Sequence, residues 1–272
     1  LASSRCKSHS PCIKDIFADH EKAFVRKIGM WALLRKEING FLSSLIGYIV
    51  IIVFLLMVGL FLWVFPGDFN LLERGYAELD PLFLLSPWVF LFLIPAITMR
   101  SFSEEKRTGT LELLLTKPLT DTRIILAKFL AGWFLTLLSL LPTLIYYVAI
   151  SNLAEPAGNV DHGGIYGSYI GLAFLSAAFV SIGIFASSVT VNQIVAFILA
   201  IFLSFFLFTG LESIASFDLL GPMDNFILQL GMNEHYRSMS RGVIDTRDVI
   251  YFLGLIGIFF LLTKASIESR KW

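Results

Sequence analysis

Arg100-Ser101-Phe102-Ser103-Glu104-Glu105-Lys106-Arg107-Thr108-Gly109-Thr110-Leu111-Glu112-Leu113-Leu114-Leu115 is a charged island between two long apolar runs, Pro81 to Met99 and Phe129 to Ile150. A few polar residues would suffice to join two membrane spans. Here the link reads as a charged helix, a glycine break and a second, amphipathic helix. Such a loop has the character of a docking surface for a soluble partner. Ser101 or Ser103 is placed to cap the first helix, with Glu104 and Glu105 in its first turn and Lys106 and Arg107 towards its end. Gly109 permits the break, Thr110 is placed to cap the next helix, and Pro118 stops it. Thr120 is placed to cap the following span. The plainer reading, a solvated loop with surface ion pairs, is the default for an isolated charge run.

The runs on either side set the fold class. The chain has 272 residues, is 56% hydrophobic and has a mean hydropathy of +0.77. The apolar residues gather in stretches near the roughly 20 residues that a membrane helix needs, without the polar faces of soluble helices. They predict an all-α integral membrane protein with six spans: 45–65, 81–99, 129–150, 169–189, 194–211 and 249–267. Each is helical, because unpaired backbone polar groups cannot face lipid. Lys264 lengthens the sixth by snorkelling.

Net charge is zero, with 21 Lys and Arg against 21 Asp and Glu, which is no nucleic-acid signature. The distribution carries the information. Alternate segments hold 17 and 4 of the Lys and Arg. The positive-inside rule then places both termini and the island in the cytosol. Trp63, Trp88, Tyr146, Tyr147, Tyr166, Tyr169 and Tyr251 fall towards the outer ends of their spans, as an interfacial belt would.

Residues 1–29 are polar and mixed, and the chain opens on Leu1. They are expected to be a loose tail or an over-extended reading frame, with a cytosolic arm as the alternative. From Met30, Trp31, Leu34, Ile38 and Leu42 recur at helical spacing. That spacing predicts a helix along the inner membrane face or a cytosolic extension of the first span. Cys6 and Cys12 make no zinc or disulfide pattern, and the four histidines, at 9, 20, 162 and 235, are dispersed.

No charge falls in the middle of a span; Lys128 and Lys264 sit at span ends. Central charges cost about 2.5–3.5 kcal/mol and mark ion or proton paths, so an ion-coupled transporter is disfavoured. No phosphate-cradling glycine loop, zinc-protease motif or nucleophile elbow is present. The chain is therefore not expected to be an enzyme or to bind a cofactor or metal. The fourth span carries small residues four apart: Gly167 and Gly171; Ala173, Ala177 and Ser181; Gly183 and Ser187. They fit either static close packing or a moving interface.

The island, followed by Lys117-Pro118-Leu119, resembles the segment that ABC-2 type permeases carry between their second and third spans. The stretch from His235 to Val249 is similar to the one before their sixth span, and Met30 to Gly47 resembles the gliding-motility-associated subset. The likeness covers Met30 to Trp272. It implies a type V exporter-like permease domain with cytosolic coupling helices and short outer re-entrant helices. It implies a bacterial inner-membrane protein without an ATPase of its own. A separate ATP-binding subunit would hold ATP and Mg, and a second permease copy or paralogue would complete the pathway in the lipid. It implies ATPase docking through Arg100, Phe102, Glu104, Glu105, Arg107, Gly109, Thr110, Leu111 and Glu112, and an outer gate at Phe217, Leu220, Pro222, Phe226, His235, Arg241 and Gly242. A membrane scaffold that anchors an ATPase without transport is the competing reading.

Overall fold

A computed structural model describes residues 30–110, 120–155, 159–216 and 224–269, the side chain of Asn225 excepted. Among the described residues every regular element is a helix, and six helical stretches are long and apolar enough to cross a membrane. In chain order the helices, spanning and short together, begin with α1 (30–43), α2 (Leu45–Trp63), α3 (Asp80–Thr98), α4 (Arg100–Arg107) and α5 (Asp121–Leu140). A 3₁₀ turn, Leu141–Thr143, leads into α6 (Leu144–Leu153). Then come α7 (His162–Val189) and α8 (Gln193–Phe205), a π turn at Phe206–Gly210, α9 (Leu211–Ala215), α10 (Asp224–Gln229), α11 (Met232–Ser240) and α12 (Thr246–Glu268).

The helices begin where short polar side chains meet their first free amides. Ser44 Oγ accepts from the Ile46 N–H at 3.1 Å and opens α2; Asn192 Oδ1 accepts from Ile194 at 2.9 Å and opens α8. Asp161 opens α7 and Asp245 opens α12, each through Oδ1. These carboxylate caps carry α7 and α12 several residues beyond the spans that hydropathy predicts. Ser44 also separates α1 from α2, so α1 is a distinct helix and not a straight extension of the first span. Thr120 occupies the N-cap of α5, but its hydroxyl pairs with Thr122 Oγ1 at 3.1 Å and does not cap an amide.

Three prolines interrupt spans, and each is accommodated differently. Pro142 lies in the 3₁₀ turn between α5 and α6. Pro87 lies inside α3 and offers no N–H to the Phe83 carbonyl one turn earlier. That carbonyl instead accepts the Tyr236 hydroxyl of α11 at 2.8 Å. Burial pushes the Tyr236 phenol far above its ordinary pKa, so it keeps the proton it donates. Pro95 lies a turn before the break between α3 and α4.

The core is organised around α7. Its apolar stretch is 78% buried inside the bundle, against 22% for the α8 and α12 stretches. It packs against α3, α4, α5, α8, α11 and α12. The small residues of α7 are the reason this many neighbours fit. A Cβ at Gly183 would lie 2.0 Å from Thr98 Oγ1, and one at Gly167 would lie 2.4 Å from the Met239 carbonyl oxygen. One at Gly171 would press on the Tyr236 ring at 3.2 Å. Between the two readings of this stripe, the contacts supply close packing with α3 and α11.

Gly183→Ala should therefore destabilise the protein by about 1–3 kcal/mol, the usual cost of overpacking. Gly254 and Gly257 have open space at the same test position. Gly254→Ala and Gly257→Ala should be neutral or slightly stabilising in thermal unfolding of the purified protein, with Gly183→Ala alone lowering Tm.

Candidate functional site

The charged island is continuous with the second span. Only Met99 separates α3 from α4, so the charged helix extends the membrane helix and is no free-standing loop. Neither Ser101 nor Ser103 caps it. Ser103 Oγ donates back to the Met99 carbonyl, and Ser101 is buried. The capping hydroxyl comes from Ser187 of α7, 84 residues beyond Ser103. Ser187 Oγ accepts the N–H groups of Phe102 and Ser103 at 2.9 and 3.0 Å, and donates to the Met99 carbonyl at 3.0 Å. First-turn amides lack partners within their own helix, and one side chain from a neighbouring helix satisfies two of them.

Three further contacts fasten α4. Phe102 is fully buried in the core. Lys106 Nζ donates to the Ser188 carbonyl at the C-terminal end of α7, where the helix dipole favours a cation. Ser266 of α12 donates to that same carbonyl at 2.9 Å. Glu105 Oε1 lies 2.8 Å from Lys128 Nζ, and Glu37 Oε1 of α1 lies 3.3 Å from it. The Lys128 side chain is only 2% exposed, and its ammonium also sits 5.1 Å from the centre of the Phe102 ring. A buried lysine is tolerated only when paired. Here the pairing ties α1, α4 and α5 together.

These contacts divide the nine predicted docking residues. Arg100, Glu104, Arg107, Gly109 and Thr110 are exposed. Phe102 offers no surface to a partner; it seats α4 in the core. Glu105 is half-buried and committed to Lys128. Leu111 and Glu112 lie outside the described residues. Gly109 adopts φ +70°, the left-handed backbone that glycine takes without strain, and ends α4 as its sequence position suggests.

At the opposite end of the bundle, α10 and α11 lie against α12. His235 holds the three together: Nδ1 is 2.7 Å from Asp248 Oδ1, Nε2 is 2.8 Å from the Gln229 carbonyl oxygen, and the ring stacks on Tyr251 at 3.9 Å. Glu212 pairs with Arg237 at 3.1 Å and accepts from Asn233 at 2.6 Å. Gly242 turns at φ +84° against Gly163 and Gly164, where a Cβ would come within 2.9 Å of the Gly164 nitrogen. Phe226 and Arg241 are exposed. Phe217, Leu220 and Pro222 lie outside the described residues.

Sequence reading passed over Lys128 as a span-end charge and did not pair it. The signal available was a lone lysine in an otherwise apolar helix, with unpaired glutamates in two segments expected on the same side. Replacing Lys128 by Met should leave two glutamates facing each other without their cation, costing about 3–5 kcal/mol. Glu104→Gln, on the exposed face, should stay within about 0.5 kcal/mol of wild type. Denaturant unfolding of both variants measures the difference.

Residues 69–232, more than half of the chain, match the model of a protein family described as ABC-2 family transporter protein. No curated protein matches the chain. The matched region holds α3 to α10, including the whole α3–α4 unit, its Ser187 cap and Lys128. The chain is thus a multi-pass membrane subunit that carries no ATPase activity of its own, and it belongs to the ABC-2 family of transporter proteins.

Proposed function

We infer that this chain is the permease subunit of an ATP-driven exporter, and that the exposed face of α4 receives an ATP-binding partner subunit. The observation that carries the reading is the mounting of α4. Its outward face presents Arg100, Glu104 and Arg107, while its inward face is fixed to α1, α5 and α7 through Lys128, Ser187 and Lys106. A partner that shifts α4 must shift those helices. Transport coupling requires such differential contact in two nucleotide states. ATP and Mg belong to the partner, and a second permease copy or a paralogue completes the pathway. The exposed apolar faces of α2, α8 and α12 are available to lipid and to that second copy.

The 17-to-4 division of Lys and Arg supports a bacterial inner-membrane orientation with both termini and α4 in the cytosol. It also supports a role for the His235, Arg241 and Gly242 region, with Phe226, at the outer gate. The likeness of Met30 to Gly47 to gliding-motility permeases supports service in gliding motility. A scaffold that anchors an ATPase without transport is the second reading. It is favoured only by the firmness of the α4 mounting, which an anchor would also need.

Two measurements test these statements. In intact cells, Glu104→Cys should resist an impermeant thiol reagent, whereas Asn159→Cys should react; the reverse pattern would invert the topology. In reconstituted vesicles, Glu104→Lys combined with Arg107→Glu should lower transported substrate per ATP at least tenfold. Membrane insertion should be unchanged, because both residues are exposed. ATP turnover that responds to this chain but moves no molecule across the vesicle would favour the scaffold.

A further inference from the structure

A cavity of about 280 Å³ opens where α1 turns into α2, and its composition is unusual for a packing defect. Phe41 of α1, with Ile46 and Ile97 from the ends of α2 and α3, gives it an apolar wall. The facing wall is charged. Its inner part holds the buried Lys128 between the half-buried Glu37 and Glu105, one cation between two carboxylates. Exposed at its mouth are Lys36, Arg100 and Glu104, two cations and one carboxylate. The charges are therefore sorted, with an excess of negative charge inside and an excess of positive charge at the mouth.

That sorting selects among ligands. A simple anion attracted by Lys36 and Arg100 would meet the two inner carboxylates, and a simple cation would meet the two outer bases. A zwitterion with its phosphate outward and its ammonium inward satisfies both. The volume falls just under the range of about 300–1,000 Å³ that holds drug-sized molecules, so it suits a headgroup and excludes acyl chains. The chains have another route. Ile46 shares a helical face with Ile49 and Val53, which are 46% and 38% exposed along α2. The cavity also lies beside the ends of α2 and α3, the helices that flank it.

We propose that this cavity is a phospholipid site for a phosphoethanolamine headgroup, the phosphate held by Arg100 and Lys36 and the primary ammonium directed at the Glu37 and Glu105 carboxylates. Arg100 offers the planar fork that binds phosphate oxygens in pairs. Bound lipid would add a second link between α1 and α4 beside the one that Lys128 makes through Glu37 and Glu105. The site does not depend on the assignment of α4 as an ATPase contact, because lipid binding is read with no second protein present.

The test uses the purified full chain in detergent, titrated with short-chain phosphatidylethanolamine, phosphatidylglycerol, phosphatidylcholine and free phosphoethanolamine. Thermal unfolding reports stabilisation, and mass spectrometry under non-denaturing conditions reports stoichiometry. Phosphatidylethanolamine should raise Tm saturably at one lipid per chain. Phosphatidylglycerol and phosphatidylcholine, which lack the primary ammonium, should require at least tenfold more. Arg100→Ala and Lys36→Ala should each raise the half-saturating concentration at least fivefold with Tm unchanged in the absence of lipid. Ile258→Ala, an exposed apolar position on α12, should leave the response as in wild type. Equal responses to the three lipids, or an unchanged response in both basic variants, would overturn the site. Free phosphoethanolamine binding as tightly as the lipid would overturn the lipid assignment in favour of a soluble ligand.

Discussion

Every backbone polar group inside an apolar bundle must find a partner in the protein, and this requirement governs the joints of the molecule. A membrane offers no water to a carbonyl that a proline leaves free. Pro87 creates such a carbonyl at Phe83, and Tyr236 fills it. The break at Met99 exposes amides at Phe102 and Ser103, and Ser187 fills both. Two buried hydroxyls bond within their own helices in the same way: Ser86 donates to the Leu82 carbonyl and Thr263 to that of Phe259. The tertiary hydrogen bonds concentrate where helical regularity fails.

Those joints meet on α7. Its glycines let α3 and α11 approach closely enough for Ser187 and Tyr236 to reach their targets. The charged trio of Lys128, Glu37 and Glu105 then closes the arrangement at one end, and His235 with Asp248 closes it at the other. Close backbone contact and polar joints are thus two aspects of one design. Widening the Gly183 contact with Thr98 would also draw Ser187 away from α4. A change in packing deep in the span would then be felt at the exposed face of α4.

The spans, their number and the interruption at Gly109 were legible in sequence because each follows from local chemistry. A long apolar run has one solution in lipid, and a glycine between a basic helix end and a threonine marks a left-handed turn. The ends of α7 and α12 were under-read because hydropathy stops at the first polar residues, whereas Asp161 and Asp245 extend the helices by capping. The continuity of α3 and α4 was hidden for a related reason. Arg100 to Arg107 reads as a separate charged helix with its own serine cap, yet it continues α3 across Met99 with Phe102 buried beneath it. The site lay further from view. Lys128 meets Glu105 across 23 residues and Glu37 across 91, and nothing local in one sequence specifies such pairings.

The bond from Tyr236 to Phe83 spans 153 residues of chain, and this has a consequence for how the protein is made. At synthesis rates of about 5–20 residues per second, the ribosome needs roughly 8–30 s to supply the tyrosine after the carbonyl has been polymerised. During that interval the second span is in the insertion machinery or the bilayer with a vacant acceptor at its proline, and the Ser187 cap is missing for part of the same time. The nascent helix is therefore at its most vulnerable before α7 and α11 arrive. Biogenesis, more than the finished fold, should be the stage at which a chaperone or insertase matters most to this chain.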